Sequence, residues 1–216
     1  IHEATYTRVA GNGFEENDEV GVFALVGSST MKEERYADNL RFFRTSEKVF
    51  ESSEPIYYPD DEVTLRLISY YPYQEEGVNM GESTMSVAVE NLSAGYFCSD
   101  FLVASQNLQS APKGAIALHY DHKFFKLKIA LVGKEGEELQ GILDADPKLS
   151  VCGFYTKAIY DFQKETYSAF SNEKSITPAG KWEIQGDRLS GKEVILIPQE
   201  TTLGYQYIVL DVGGKI

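Results

Sequence analysis

Residues 63–71 read VTLRLISYY, and their pattern decides the fold class. Leu65 and Leu67 fall on one face of an extended chain, and Arg66 falls on the opposite face. This period of two is typical of a β-strand, whereas a helix repeats every 3.6 residues. Pro72 follows at once and ends the predicted strand, because proline cannot donate to a β-ladder.

Similar patterns occur on both sides of this stretch. Residues 20–25 (VGVFAL) form an apolar run that predicts a buried strand, and residues 125–131 (FKLKIAL) alternate apolar with basic side chains. Shorter strands are predicted at 115–120, 149–155, 194–197 and 205–212. We expect a short helix in Phe101–Ser110, a turn in Met31–Arg44 and a long surface loop over Thr156–Trp182. The predicted core residues are Phe23, Leu65, Leu67, Leu127, Ile129 and Leu210.

The composition supports a β-rich protein. The 216 residues include 14 Tyr and 12 Phe, which favour strands, and 18 Gly and seven Pro, which suit turns. Many short strands indicate an all-β protein built from sandwiches rather than a βαβ sheet. Acidic residues outnumber basic ones by 18 to six in residues 9–100, but only by 14 to 13 in residues 101–216. We therefore predict an acidic β-sandwich domain at 1–112 and a second β-sandwich domain at 113–216.

Charge and termini exclude several classes of function. The net charge of −13 argues against binding to nucleic acid or to an anionic membrane surface. No apolar run approaches the ~18 residues that a membrane-spanning helix requires. The N-terminus lacks a signal pattern, so we expect a mature terminus from which an export signal has been removed. Cys98 and Cys152 are too few for a disulfide framework, although they could pair in an exported protein.

Motifs for catalysis and cofactor binding are missing from the sequence. It has no glycine-rich phosphate loop, no Gly-x-Ser-x-Gly and no His-Glu-x-x-His, so we predict neither an enzyme nor a bound cofactor. His119 and His122 are three residues apart, which places them on opposite faces of a strand, and no metal site is predicted. The aromatic residues Tyr57, Tyr58 and Tyr73 could stack on sugar rings, or they could pack within the protein.

Seven segments, taken in order, resemble the fimbrillin-like family of Bacteroidales. The resemblance runs from about Thr5 to about Val212 and includes the family's Tyr-Tyr-Pro-Tyr and Pro-Gln motifs. The matching segments are Thr7-Arg8, Phe14 with Asp18–Phe23, Pro55–Pro59, Ser69–Tyr73, Asp100–Ala104, Leu118–Leu131 and Ile195–Gln199.

The resemblance implies a fold and a function. Members have two transthyretin-like, Greek-key β-sandwich domains and are exported as lipoprotein precursors to the outer membrane or into fimbriae. Many are subunits of type V pili that support adhesion and have other fimbrial subunits as partners. A protease that cuts after arginine removes an N-terminal segment, and a strand from the next subunit fills the exposed groove. Arg8 is the matching processing position.

Two further expectations accompany the resemblance. The family usually continues past the segment matching Tyr205–Gly214 with another strand, so we expect either a trimmed C-terminus or a last strand supplied in another way. The alternative function is a surface lipoprotein that does not polymerise. It would bind host or bacterial surface glycans or proteins, with Tyr57, Tyr58 and Tyr73 as contact residues.

Overall fold

The protein is almost entirely β-structure, as the sequence predicts. The structure is a computed structural model that describes the backbone of His2–Glu3 and residues 13–59, 63–90, 96–134 and 138–213. Within these ranges, helix is confined to Leu139–Asp144 (α1) and to a 3-10 turn at Phe97–Ser99. The strands are His2–Glu3 (β1), Glu19–Val26 (β2), Ala37–Arg44 (β3), Phe50–Glu51 (β4), Leu65–Tyr71 (β5), Thr84–Ala88 (β6), Leu102–Leu108 (β7), Ala117–Leu118 (β8), Asp121–His122 (β9), Phe125–Leu131 (β10), Lys148–Asp161 (β11), Thr166–Ile176 (β12), Glu183–Gln185 (β13), Arg188–Leu196 (β14) and Ile208–Asp211 (β15).

The chain forms two compact units, each built from several separate segments. The first unit comprises Ile1–Val87, Asp100–Lys123 and Ile159–Ser168, and the second comprises Ala88–Ser99, Phe124–Ala158 and Ala169–Ile216. Division into independently folding domains at residues 112–114 stays a prediction, which separate expression of residues 1–112 and 113–216 would test.

A six-stranded antiparallel sheet forms the centre of the first unit. Its strand order is β4-β3-β2-β5-β7-β9. The apolar run in β2 is buried on both faces of this sheet, with six consecutive buried residues. One face, which we call the Leu67 face, carries Val20, Val22, Leu67 and Leu102 and packs against Phe14 and Phe50. Burial on both faces explains the continuous apolar run of β2, and in β5 the half-buried Arg66 lies between the buried Leu65 and Leu67, which gives its alternation.

The opposite face of this sheet is covered by aromatic rings. Phe162 lies 5.8 Å from Tyr70 and 6.1 Å from Phe23, measured between ring centroids. Phe101 packs edge-on against Tyr160 at 5.0 Å. Edge-to-face pairs of this kind contribute stability beyond the area that they bury. The rings of residues 160 and 162 therefore complete a core whose other members come much earlier in the chain.

The second unit contains two further sheets. One has the order β10-β14-β13, and the other contains β12-β11-β15. Their shared core includes Val151, Phe154, Val194 and Leu196. β10 lies at a sheet edge, and its apolar residues Leu127 and Ile129 are only half-buried, although they pack against this core.

Three of the six predicted core residues are confirmed as buried, and the other three are half-buried. Phe23, Leu65 and Leu67 are buried, with exposed fractions of 0%, 2% and 2%. Leu127 and Ile129 pack at the margin of the second core, and Leu210 in β15 is half-buried.

Two of the three predictions for helix, turn and loop segments are wrong. Phe101–Ser110 holds strand β7 instead of a short helix, because Leu102 and Ala104 on one side and Val103 on the other all face apolar neighbours in the sheet. The predicted turn within Met31–Arg44 lies at the start of that range, where the Glu33 N–H donates to the Thr30 carbonyl at 3.2 Å, and strand β3 follows from Ala37. The predicted loop over Thr156–Trp182 is largely strand, since β11 continues to Asp161 and β12 follows.

Two further observations concern the cysteines and the helices. Cys98 is exposed and Cys152 is half-buried. Both are free thiols, so the disulfide that these two cysteines could form is not present. No helix in the described ranges has the length and apolar character needed to cross a membrane.

Candidate functional site

The N-terminal strand pairs with a strand from the middle of the chain. β1 runs parallel to β8, with His2 opposite Ala117 and Glu3 opposite Leu118. The sequence predicts an extended N-terminal segment at a sheet edge, and these two residues have that conformation. Arg8, the predicted processing position, lies outside the described residues.

Strand β8 belongs to the layer that covers the Leu67 face of the first unit's sheet. Leu118 is 1% exposed and packs in the cluster that contains Phe14, Val20 and Leu102. Ile116 contacts both apolar clusters on this face. The covering layer therefore consists of short segments, and its one described two-stranded sheet takes a strand from the N-terminus.

An apolar cleft opens beside this layer. It has a volume of about 170 Å³ and a lining that is mostly hydrophobic. Its floor comes from β3, β5 and β7 of the sheet, and its rim comes from residues 52–58 and 112–116. The lining residues are Phe42, Ser52, Glu54, Pro55, Ile56, Tyr58, Leu65, Leu67, Leu108, Pro112 and Ile116.

The pairing of β1 with β8 has a structural consequence. Within the described residues, β1 is the only strand that pairs with β8. Loss of β1 would therefore leave unpaired backbone N–H and C=O groups on β8, next to an apolar cluster. An exposed strand edge of this type is a template for pairing with another chain. The arrangement can bind an added strand, with backbone hydrogen bonds supplying affinity and alternate side chains supplying register.

The predicted aromatic contact residues have three different environments. Tyr57 is 74% exposed and presents an open ring. Tyr58 is half-buried, and its hydroxyl donates to the carbonyls of Val63 at 2.5 Å and Leu108 at 3.1 Å. The half-buried Tyr73 has the Arg41 guanidinium 5.8 Å from its ring centroid. Tyr58 therefore packs within the protein, while Tyr57 is available to a ligand.

The two histidines singled out from the sequence also differ. His122 Nδ1 lies 2.8 Å from Oδ2 of Asp100, a carboxylate that is completely buried, while His119 is exposed. Across the described ranges, no three His, Cys, Asp or Glu side chains are grouped in a way that could hold a metal ion. The Asp100–His122 pair links the start of β7 to β9.

Sequence reasoning missed the residues that build the covering layer. Ile116 and Leu118 belong to it, as does Tyr120, which is 8% exposed. Because these three residues alternate along the chain, their spacing indicates one buried face of a strand. The sequence predicted a strand in this region but gave no indication that its partner would be the N-terminus.

Solved structures with the same fold come from Bacteroides species. A candidate cell adhesion protein from Bacteroides uniformis superposes with a TM-score of 0.66 at 20% identity, covering 93% of this chain and 75% of that one. A second candidate adhesion protein, from Bacteroides ovatus, gives a TM-score of 0.60 at 13% identity over 93% of this chain and 77% of its own. A fimbrial protein from Bacteroides ovatus gives 0.51 at 14% identity, over 94% of this chain and 40% of its own.

Comparison with known sequences assigns the chain to a family. No significant match was found among curated proteins. The family model described as fimbrillin-like matches residues 7–216, which is nearly the whole chain. The resemblance noted from the sequence motifs is thereby confirmed, and the chain belongs to the fimbrillin-like family.

Proposed function

We propose that this protein is a structural subunit of a cell-surface fimbria that supports adhesion, and that it assembles by strand exchange after proteolytic removal of its N-terminal segment. The observation that carries the proposal is the pairing of β1 with β8 over the apolar Leu67 face. Family membership and the likeness to a fimbrial protein and to candidate adhesion proteins support it. The role is structural rather than catalytic, and the partners are other fimbrial subunits.

The proposed exchange of strands after cleavage follows from the chemistry of a strand edge. A cut after Arg8 separates β1 from the rest of the chain, so β1 is then held by non-covalent contacts such as its short pairing with β8. A strand from a second subunit then pairs with β8 and fills the neighbouring apolar cleft. Because many hydrogen bonds form together, the product dissociates slowly. The family relationship supports a location at the cell surface, and we propose that the subunit is exported as a lipoprotein precursor and anchored in the outer membrane or within the fimbria.

The test uses the full-length precursor treated with a protease specific for arginine. We expect wild-type protein to be monomeric before cleavage and to form detergent-resistant oligomers afterwards, as measured by size-exclusion chromatography. Arg8→Ala should remain monomeric after the same treatment. Arg188→Ala is a matched control, because Arg188 is an exposed arginine whose only ion pair among the described residues is with the neighbouring Asp187. Equal oligomerisation of wild type and Arg8→Ala would refute Arg8 as the processing site.

A second pair of variants tests whether the incoming strand pairs with β8. Ala117→Pro removes a backbone N–H from β8 and should reduce oligomerisation of cleaved protein, because proline cannot donate to a strand. Pro substitution at Lys113, in the exposed segment before β8, is the control. If Ala117→Pro folds, is cleaved normally and still assembles as wild type does, the incoming strand does not use β8.

A further inference from the structure

A second cleft lies within the second unit and is lined by residues between Leu143 and Lys192. Its volume is about 480 Å³, within the range of ~300–1,000 Å³ that is usual for small-molecule sites. The end of α1, the start of β11, the segment 177–182 and one residue of β14 form its walls. The lining residues are Leu143, Asp146, Pro147, Lys148, Leu149, Ser150, Thr177, Gly180, Lys181, Trp182 and Lys192.

The cleft carries a surplus of positive charge. Three lysines and one aspartate line it, and Lys148 forms an ion pair with Asp146. Lys192 Nζ donates to the carbonyl of Gly180 at 2.7 Å and has no carboxylate partner among the described residues. Among the described residues, the Lys181 ammonium also has neither a hydrogen-bond partner nor an ionic partner. Two uncompensated cations thus line one cleft of a protein that has 33 acidic and only 20 basic residues.

Two glycines fix the wall that carries these cations. Gly180 and Gly191 both have positive φ angles, +89° and +106°. A Cβ at Gly180 would lie 1.9 Å from the Gly191 carbonyl oxygen, and a Cβ at Gly191 would lie 2.1 Å from that of Lys181. Only glycine allows the two backbones to approach so closely. Ala179 also bridges to Glu193, so the segment is held firmly against β14.

The remaining wall contains an oriented aromatic ring. Trp182 is half-buried, and its indole N–H donates to the carbonyl of Pro147 at 2.9 Å. This bond satisfies the polar edge of the ring and fixes its position in the cleft. The apolar π-surface of an indole accepts C–H groups, because its face is electron-rich.

We propose that this cleft binds a carboxylated sugar ring. The Trp182 ring packs against the C–H face of the sugar, and the Lys181 and Lys192 ammoniums bind its carboxylate through charge-assisted hydrogen bonds. The volume matches a small ligand, and the positive charge selects an acidic one. The site lies within one chain and does not depend on strand exchange, so its test is independent of the assembly proposal.

The test uses the fluorescence of Trp182, which is the only tryptophan in the chain. Its emission therefore reports on this cleft alone. Intact protein is titrated at low salt with D-glucuronic acid and with N-acetylneuraminic acid, which represent polysaccharide and glycan-terminal sources of an acidic sugar. D-glucose is the neutral counterpart, and acetate supplies a carboxylate without a ring.

We expect a saturable emission change with at least one acidic sugar, and binding at least about tenfold weaker for glucose and for acetate. Lys181→Gln and Lys192→Gln should each weaken binding by about tenfold. Lys174→Gln is the matched control, since Lys174 is exposed on β12 and does not line the cleft. An unchanged thermal midpoint in the lysine variants shows that any loss arises from binding rather than unfolding.

Three outcomes would overturn the proposal. One is the absence of saturable binding by both acidic sugars. Another is equal binding of glucose or acetate, which would remove the need for either the charge or the ring. The third is equal affinity of the Lys181→Gln and Lys174→Gln variants.

Discussion

The Tyr120 hydroxyl lies 2.6 Å from Oγ of Ser69, and both side chains are buried. Ser69 donates its own proton to the carbonyl of Gly21 at 3.1 Å, so Tyr120 is the donor in the pair. Burial raises the pKa of the Tyr120 phenol, which therefore stays protonated and able to donate. This bond attaches the covering layer, including β8, to the centre of the first unit's sheet.

Ser69→Ala is expected to destabilise the protein by about 1–3 kcal/mol, because it leaves the buried Tyr120 hydroxyl without its acceptor. Tyr120→Phe should cost less, about 0.5–1.5 kcal/mol, since Ser69 keeps its bond to Gly21. The double variant should be less destabilised than the sum of the two single variants. Urea unfolding of the four proteins measures these values, and strict additivity would show that the two groups do not interact.

Arg35 joins two loops in the first unit. Its side chain is fully buried, lies 5.3 Å from the centroid of the Phe23 ring and forms an ion pair with Asp38 at 2.5 Å. Its nitrogens donate to backbone carbonyls at 2.6–3.0 Å. The accepting residues are Met31, Val78, Asn79 and Glu82.

Arg35→Lys should destabilise the protein by about 3–5 kcal/mol, because an ammonium cannot span carbonyls that a planar guanidinium reaches. Arg41→Lys is the control. Arg41 pairs with Glu19 on the surface, and an exposed pair contributes at most about 1 kcal/mol. Denaturant unfolding compares the two variants, and similar losses for both would mean that the Arg35 bonds add little stability.

Sequence patterns predicted the strands whose two faces differ or whose apolar runs are long. β5 is an example of the first kind and β2 of the second, because burial in the central sheet leaves an alternating pattern in β5 and a continuous apolar run in β2. β7 gave a weaker signal. Val103 is buried on the face opposite Leu102 and Ala104, so its first residues form a continuous apolar run that also suits a helix.

The polar contacts and the candidate surfaces depend on distant parts of the chain. Arg35 binds carbonyls 43 to 47 residues away, and nothing in its local sequence indicates those partners. β1 and β8 are separated by more than 100 residues. Lys181 and Trp182 are adjacent, but their approach to Lys192 depends on the close backbone contact between Gly180 and Gly191. Sequence periodicity contains no information about such contacts.

Core truncations should differ between the two units. Leu67→Ala is expected to cost about 2–5 kcal/mol, because Leu67 is 2% exposed and its removal leaves a cavity. Leu127→Ala should cost clearly less, since Leu127 is half-buried on edge strand β10 and the site can relax. Thermal unfolding tests the order of the two losses. A larger loss for Leu127→Ala would place it in a more enclosed core than the structure shows.

Glu193 joins β14 to β10 and to the segment before the 3-10 turn. Its carboxylate accepts a hydrogen bond from the Tyr96 hydroxyl at 2.5 Å, and it pairs with Lys126 at 3.0 Å and Lys128 at 3.7 Å. Burial alone would raise the pKa of Glu193. The hydrogen bonds from Tyr96 and Lys126 and the lysine charges outweigh burial, and they hold this pKa below its usual value.

This lowered pKa predicts a specific pH dependence of stability. The folded state favours ionised Glu193, so its contribution is complete above the unfolded-state pKa of about 4.3 and is lost as the pH falls through the lower folded-state pKa. Glu193→Gln should therefore lower the thermal midpoint at pH 7, and the difference from wild type should shrink steadily below about pH 4. Glu183→Gln, at an exposed position on β13, is the control and should follow wild type throughout. Thermal unfolding between pH 7 and pH 2.5 measures the three curves. A Glu193→Gln difference that stays constant over this range would show that the carboxylate is not preferentially ionised in the folded protein.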